Sequence, residues 1–155
     1  MQYSVGLVRF AFVFTGLLIL MAILSVVLEA FTGISVNGSV NQIVAVLGAA
    51  SDAGQRFYKT YQTVPESGFA WHASFQMTLV EIAISVALGG LFFWYLLSQG
   101  EFANGLGPLM MILVPLMIFL FGVSLVAKRF AFVGGARRAE KVHLKKQEKS
   151  SAVFE

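Results

Sequence analysis

The sequence predicts an all-α integral membrane protein: a four-helix bundle with both termini in the cytoplasm, a kinked fourth helix and a basic C-terminal tail. Three observations lead there. First, 57% of the 155 residues are hydrophobic and only 12% are charged, against roughly 25% charged in an average soluble domain. A soluble chain of this composition would have little surface to offer water. Second, apolar stretches approaching the ~30 Å thickness of a hydrocarbon core alternate with short polar segments. Third, the cations are sorted. With four crossings, all eleven Lys and Arg fall on the side that holds the N-terminus, the middle loop and the tail. The positive-inside rule then makes that side cytoplasmic.

The first span, about residues 9–29, contains Phe10 to Leu28 without a charge, bounded by Arg9 and Glu29. A cleaved signal peptide is the competing reading. Its apolar region would be about 7–15 residues and would lead to a small-residue cleavage site. This run is longer, and Leu28-Glu29-Ala30-Phe31 is a poor site. Gly33, Asn37 and Gly38 then mark a turn.

The second span, about 40–58, is the least apolar, with Asn41 and Gln42 near one end and Ser51, Asp52 and Gln55 near the other. Asp52 and Arg56 stand four apart, so they share a helix face in the favourable acid-first order. The expectation is a pair at the membrane rim that fixes the depth of this helix. Ala45, Ala49 and Ala53, with Gly48 and Gly54 beside them, form a small-residue stripe. Such stripes let membrane helices approach closely. The stripe is expected to face the third helix, and the first as a further neighbour.

A loop containing Pro65 leads to the third span, about 71–97, with Trp71 and His72 where it begins and Trp94 and Tyr95 where it ends. Aromatic residues gather at both interfaces of a bilayer. Glu81 lies ten residues beyond Trp71, about 15 Å deep at 1.5 Å per residue, where an ionised acid costs about 3 kcal/mol. Two readings apply. In the structural one, Glu81 is protonated and bonds Ser51, Asn41 or a backbone carbonyl of a neighbouring helix. In the functional one it is an ion, proton or partner site, with His72 and Gln76 lining a polar entrance toward it. Gly89 and Gly90 offer a second place for close helix approach.

After a polar loop with Glu101, the fourth span, about 106–128, carries no charge until Lys128-Arg129. Pro108 suits a first turn, whereas Pro115 is interior and should kink the helix by freeing the carbonyl of Met111. The transmembrane domain is therefore assigned to 1–130 and a basic cytoplasmic tail to 131–155, with its end disordered. Lys128, Arg129, Arg137, Arg138, Lys141, Lys145 and Lys146 are expected to meet lipid headgroups, because cations next to a span attract the anionic inner leaflet.

Several classes find no support. There is no cysteine, hence no disulfide framework or thiolate chemistry. The two histidines, His72 and His143, are too few and too far apart in sequence for a metal centre, which needs three or four convergent ligands. No phosphate-cradling loop, dinucleotide fingerprint or nucleophile elbow occurs, so no cofactor is expected. The basic run is short and lacks a folded nucleic-acid-binding module, so no nucleic-acid partner is expected.

At Asp52-Ala53-Gly54-Gln55-Arg56-Phe57, followed by Pro65 and Trp71, the chain resembles the ABZJ-type family, small four-helix inner-membrane proteins of Gram-negative bacteria without an established function. Arg129-Phe130 with Gly134-Gly135-Ala136-Arg137 is similar to that family's end of helix four. Where members often carry an acid shortly before the loop tryptophan, this chain has Phe69-Ala70. The resemblance implies four spans and residence in the bacterial inner membrane, and it carries over no catalytic residue. The expected function is that of a non-enzymatic accessory or structural subunit beside a larger membrane partner. The alternative is a small homo-oligomeric transporter or proton-coupled channel working through Glu81; a lipid-directed enzyme is a third class.

Overall fold

The computed structural model describes residues 3–33, 38–98 and 107–151. They form four helices: α1 (Leu7–Thr32), α2 (Gly38–Tyr61), α3 (Ser67–Ser98) and α4 (Gly107–Ser151). The loop with Glu101 and the extreme C-terminus lie outside the described residues, as does Asn37 of the first turn. α1, α3 and the Pro115–Ser150 part of α4 are long and apolar enough to cross a membrane. α2 does not meet that criterion, which follows from its Asn41, Gln42, Asp52, Gln55 and Arg56.

The helix ends follow local chemistry. α1 stops at Gly33, whose φ of 68° is left-handed and whose N–H donates to Glu29 O. Glycine takes that conformation without the Cβ clash other residues suffer. α2 stops at Gln62, a non-glycine residue with φ 53°. Its backbone N–H donates to Tyr58 O and its side-chain Nε2 to Lys59 O, at 2.7 and 3.1 Å, capping two carbonyls that the helix leaves open.

α1 and α2 are antiparallel neighbours along their length. Ser4 meets Tyr61 at one end, Arg9 meets Asp52, and the Asn41 amide donates to Ser25 Oγ at 2.7 Å toward the other. α3 and α4 are likewise antiparallel, with Glu81 opposite Ser124 and Lys128. α2 and α4 run parallel in close contact, Ser51 beside Gly135 and Tyr58 beside His143. All the cations thus gather toward one end of the bundle, hereafter the charged end. There Tyr3, Phe57, Tyr61, Phe69 and Phe132 form a cluster of rings with centroids 4.8–6.4 Å apart, within the range of attractive aromatic pairs.

Two expectations change. The stretch 131–151, read as a tail, continues α4 as helix without a break, and its first turns pack against α2. The small-residue stripe of α2 faces α4 and α1 rather than α3. A Cβ placed on Gly54 would overlap Phe132 O, and one on Gly48 would fall 2.9 Å from Leu17 Cδ1. Ala45 and Ala49 are fully buried, and Ala53 is partly so. The reciprocal contact explains the stripe's partner: Gly135 of α4 presses on the Ser51 carbonyl, so each helix supplies a glycine where the other's backbone arrives.

Candidate functional site: a buried ion pair between α3 and α4

The most costly polar groups in the fold meet at one place. On α3, Ala70, Ser74, Met77, Thr78 and Glu81 are all buried, spaced so that successive members lie on a shared face. On α4, Ser124, Lys128 and Phe132 repeat every four residues. Lys128 is 0% exposed and Glu81 3% exposed, and the Lys128 ammonium binds Glu81 Oε2 directly.

Neighbours complete the shell. Lys128 Nζ donates to Thr78 Oγ1 at 3.0 Å, and Thr78 in turn donates to Ser74 O at 2.9 Å. Ser124 Oγ donates to Glu81 Oε2 at 3.0 Å. Each charge thus has its opposite and at least one hydroxyl. Buried ions need such company, because desolvation costs several kcal/mol per ion and only close pairing with added hydrogen bonds offsets it.

This geometry corrects two expectations. Lys128 does not reach lipid headgroups; it is enclosed against α3. Glu81 does not bond Ser51, Asn41 or a backbone carbonyl; its partners are Lys128 and Ser124. The physical reason is position along the helix. Lys128 reads as the end of the fourth span, yet Phe130 to Ala136 continues the uncharged stretch, and the first exposed cation of α4 is Arg137. Measured from Arg137, Lys128 lies nine residues in, about 14 Å, close to the depth of Glu81 measured from Trp71. Two opposite charges at matching distances from those two residues on adjacent helices become legible once α4 is seen to continue past Lys128.

Arg129 also departs from the headgroup expectation. Its Nη2 donates to Ser67 Oγ at 3.0 Å, and its guanidinium lies 4.7 Å from the centre of the Trp71 ring and 5.5 Å from that of Phe130. Such cation–π stacking stabilises by about 0.5–2 kcal/mol. It ties the start of α3 to α4 beside the ion pair.

Asp52 pairs with Arg9 of α1, not with Arg56. Arg9 Nε and Nη2 donate to its two carboxylate oxygens at 3.0 and 3.2 Å. The planar fork of an arginine arriving from a neighbouring helix matches both oxygens at once, which outcompetes a residue four positions along the same helix. Arg56 stays exposed on the rim of a hollow of about 600 Å³ between the start of α1 and the end of α2. His72 and Gln76 bond each other, Nε2 to Nε2 at 3.1 Å, on a face where His72, Phe75 and Leu79 are exposed. The residues that lead along α3 to Glu81 are Ser74 and Thr78 instead. Arg137, Arg138, Lys141, Lys145 and Lys146 are exposed. No group of three or more His, Asp or Glu able to hold a metal occurs among the described residues.

Comparison with protein-family models, with curated proteins and with solved structures finds no match. α2 and α4 meet at one close contact. Gly54 and Phe57 on α2 meet Phe132 and Ala136 on α4, with Gly135 against Ser51 alongside.

Proposed function

We propose that this chain is an accessory or structural subunit, without catalysis of its own, that spans the bacterial inner membrane four times with both termini in the cytoplasm and associates with a larger membrane partner through its helices. One observation carries the reading. Beyond Glu81 on α3, and ahead of Lys128 on α4, no residue is buried among the described ones. Most described residues of α3 from Val86 onward and of α4 from Pro115 to Leu120 are exposed, and these stretches offer apolar surface to something other than this chain. Gly89, Gly90 and Gly122 lie there with open space at the Cβ position, which suits the close approach of another helix.

The fourth crossing is assigned to α2, whose polar residues have partners inside the bundle: Asp52 has Arg9 and Asn41 has Ser25. The gathering of cations at one end supports the orientation, and Pro115 within α4 supports a kink because it lacks an N–H. The motif likeness supports kinship with the ABZJ-type family. The transporter reading has less support, since Glu81 is engaged by Lys128 and Ser124 and lines neither the hollow beside Arg56 nor a second one at the charged end.

The test is crosslinking in native membranes. A photoreactive side chain at Leu88 or Val123, both exposed in the open half, should give an adduct with a larger polypeptide, and gentle solubilisation should release a particle larger than one chain plus detergent. Lipid adducts alone, from a species of one chain's mass, would overturn the proposal.

A further inference from the structure

The second hollow, of about 270 Å³, lies at the charged end between the last turns of α2 and the part of α4 beyond the bundle core. Its walls bring together Lys59 and Gln62 of α2 with Arg138, His143 and Lys146 of α4. None of the described residues that line it carries a carboxylate. The larger hollow differs on this point, because there Asp52 accompanies Arg9 and Arg56.

The convergence is a product of the fold. The mutual glycine contacts at Gly54 and Gly135 press the two helices together just before the hollow, in parallel register. That register sets Lys59 across from the Arg138–Lys146 turns. Of the six tail cations between Arg137 and Lys149, Arg138 and Lys146 line the hollow, while Arg137, Lys141 and Lys145 do not. Tyr58, which is buried, fixes one wall with its ring edge-on to His143 at 6.2 Å. Gln62 is held by its two bonds back into α2.

Like charges held around one hollow repel, and an anion placed among them removes that cost. A carboxylate brings one negative charge to three cationic heads, whereas a phosphate brings about −1.5 to −2 and three strong acceptor oxygens. The volume falls below that of pockets for drug-sized ligands, about 300–1,000 Å³, and suits a phosphate with a small substituent. We propose that this hollow is a binding site for a phosphate-bearing anion. The source is either a free phosphate compound or the headgroup of an anionic lipid, and Arg138 to Lys146 lie close enough beyond the exit of α4 to meet both.

Two arms separate the sources. In the first, pyrophosphate is titrated by calorimetry into the full chain in neutral detergent. In the second, phosphatidylglycerol retained by the chain from mixed phosphatidylglycerol–phosphatidylcholine nanodiscs is counted by native mass spectrometry. Each arm compares Lys59→Gln/Arg138→Gln/Lys146→Gln with Arg137→Gln/Lys141→Gln/Lys145→Gln, which removes the same charge from outside the hollow. The first variant should weaken binding by at least about tenfold, and the second by no more than about threefold. Helical circular dichroism confirms folding, and Lys59→Arg/Arg138→Lys/Lys146→Arg, which keeps all three charges, should retain most of the binding. A split in the first arm identifies a free phosphate; a split in the second alone identifies the lipid. Equal loss in both variants, or no binding in either arm, overturns the site.

Discussion

The two halves of this bundle are built on opposite rules. At the charged end, all four helices contribute to one packed core in which Phe10, Phe14, Ala49, Met77, Lys128 and Phe132 are essentially inaccessible. At the far end, α1, α3 and α4 carry Leu24, Val86, Leu91, Leu116 and Val123 exposed to their surroundings. The difference does not come from hydrophobicity, since the far half is the more apolar. In a bilayer, apolar surface gains little by meeting other apolar surface, because lipid tails are as apolar as leucine. Close packing, small residues and polar pairing hold membrane helices together, and the aromatic cluster and the Gly54–Gly135 contact lie toward the charged end, while the far half has the Asn41–Ser25 bond and few buried residues. Apolar residues alone leave the helices free to be covered by lipid or by another protein.

The ion pair is where that contrast breaks most easily. Replacing Lys128 alone by Met leaves the Glu81 carboxylate buried without its cation. Loss of one partner of a buried pair costs about 3–5 kcal/mol, a large share of the roughly 5–15 kcal/mol that holds a typical domain. The double variant Glu81→Leu/Lys128→Met replaces both charges with apolar groups of similar size and should regain most of the loss, as buried pairs replaced whole often do. Denaturation in mixed micelles, followed by helical circular dichroism, measures both. A single variant as stable as the parent would show that the packed half does not depend on this pair.

The glycine contact comes next. Gly54→Ala drives a methyl into Phe132 O, and Gly135→Ala drives one into Ser51 O. Backbone cannot rotate aside as a side chain can, so α2 and α4 must separate. Overpacking of this kind costs about 1–3 kcal/mol, occasionally more. Gly48→Ala, which meets only the movable Leu17 side chain at 2.9 Å, should cost less than either. If Gly54→Ala and Gly48→Ala behave alike, the close backbone approach is not what joins these helices.

Much of this architecture is legible in the sequence, and the parts that are not have a common cause. Four helices follow from hydropathy and turn chemistry, with Gly33 ending α1 as a left-handed glycine should. Glu81 stands out by its cost, and the stripe Ala45, Ala49, Ala53 stands out by its spacing. Partners are harder to read. Periodicity says which face of a helix is special but not which helix it meets, so the stripe suggests α3 and α1 when its partners are α4 and α1. Asp52 has two cations within reach, and only the fold brings Arg9 to it. Lys128-Arg129 reads as a stop because a cation at a helix end usually is one. The clue against it is Phe130 to Ala136, seven more uncharged residues before Arg137.

The smallest expected effect lies in the open half and has the opposite sign. Nothing stands within 4 Å of where a Cβ would be at Gly89, Gly90 or Gly122, so alanine meets no clash there. Alanine also favours helix over glycine, by up to about 1 kcal/mol in water. In the isolated chain, Gly89→Ala and Gly122→Ala should therefore be neutral or slightly stabilising, where Gly54→Ala is destabilising. In native membranes the same positions sharpen the contrast between the halves. If a partner helix approaches at Gly89-Gly90, a bulkier change such as Gly90→Leu should reduce the yield of the large particle while leaving the melting of the purified chain within about 0.5 kcal/mol. Should lipid alone cover this surface, Gly90→Leu would change neither, and the open half would be a solvent face for the bilayer rather than a docking face.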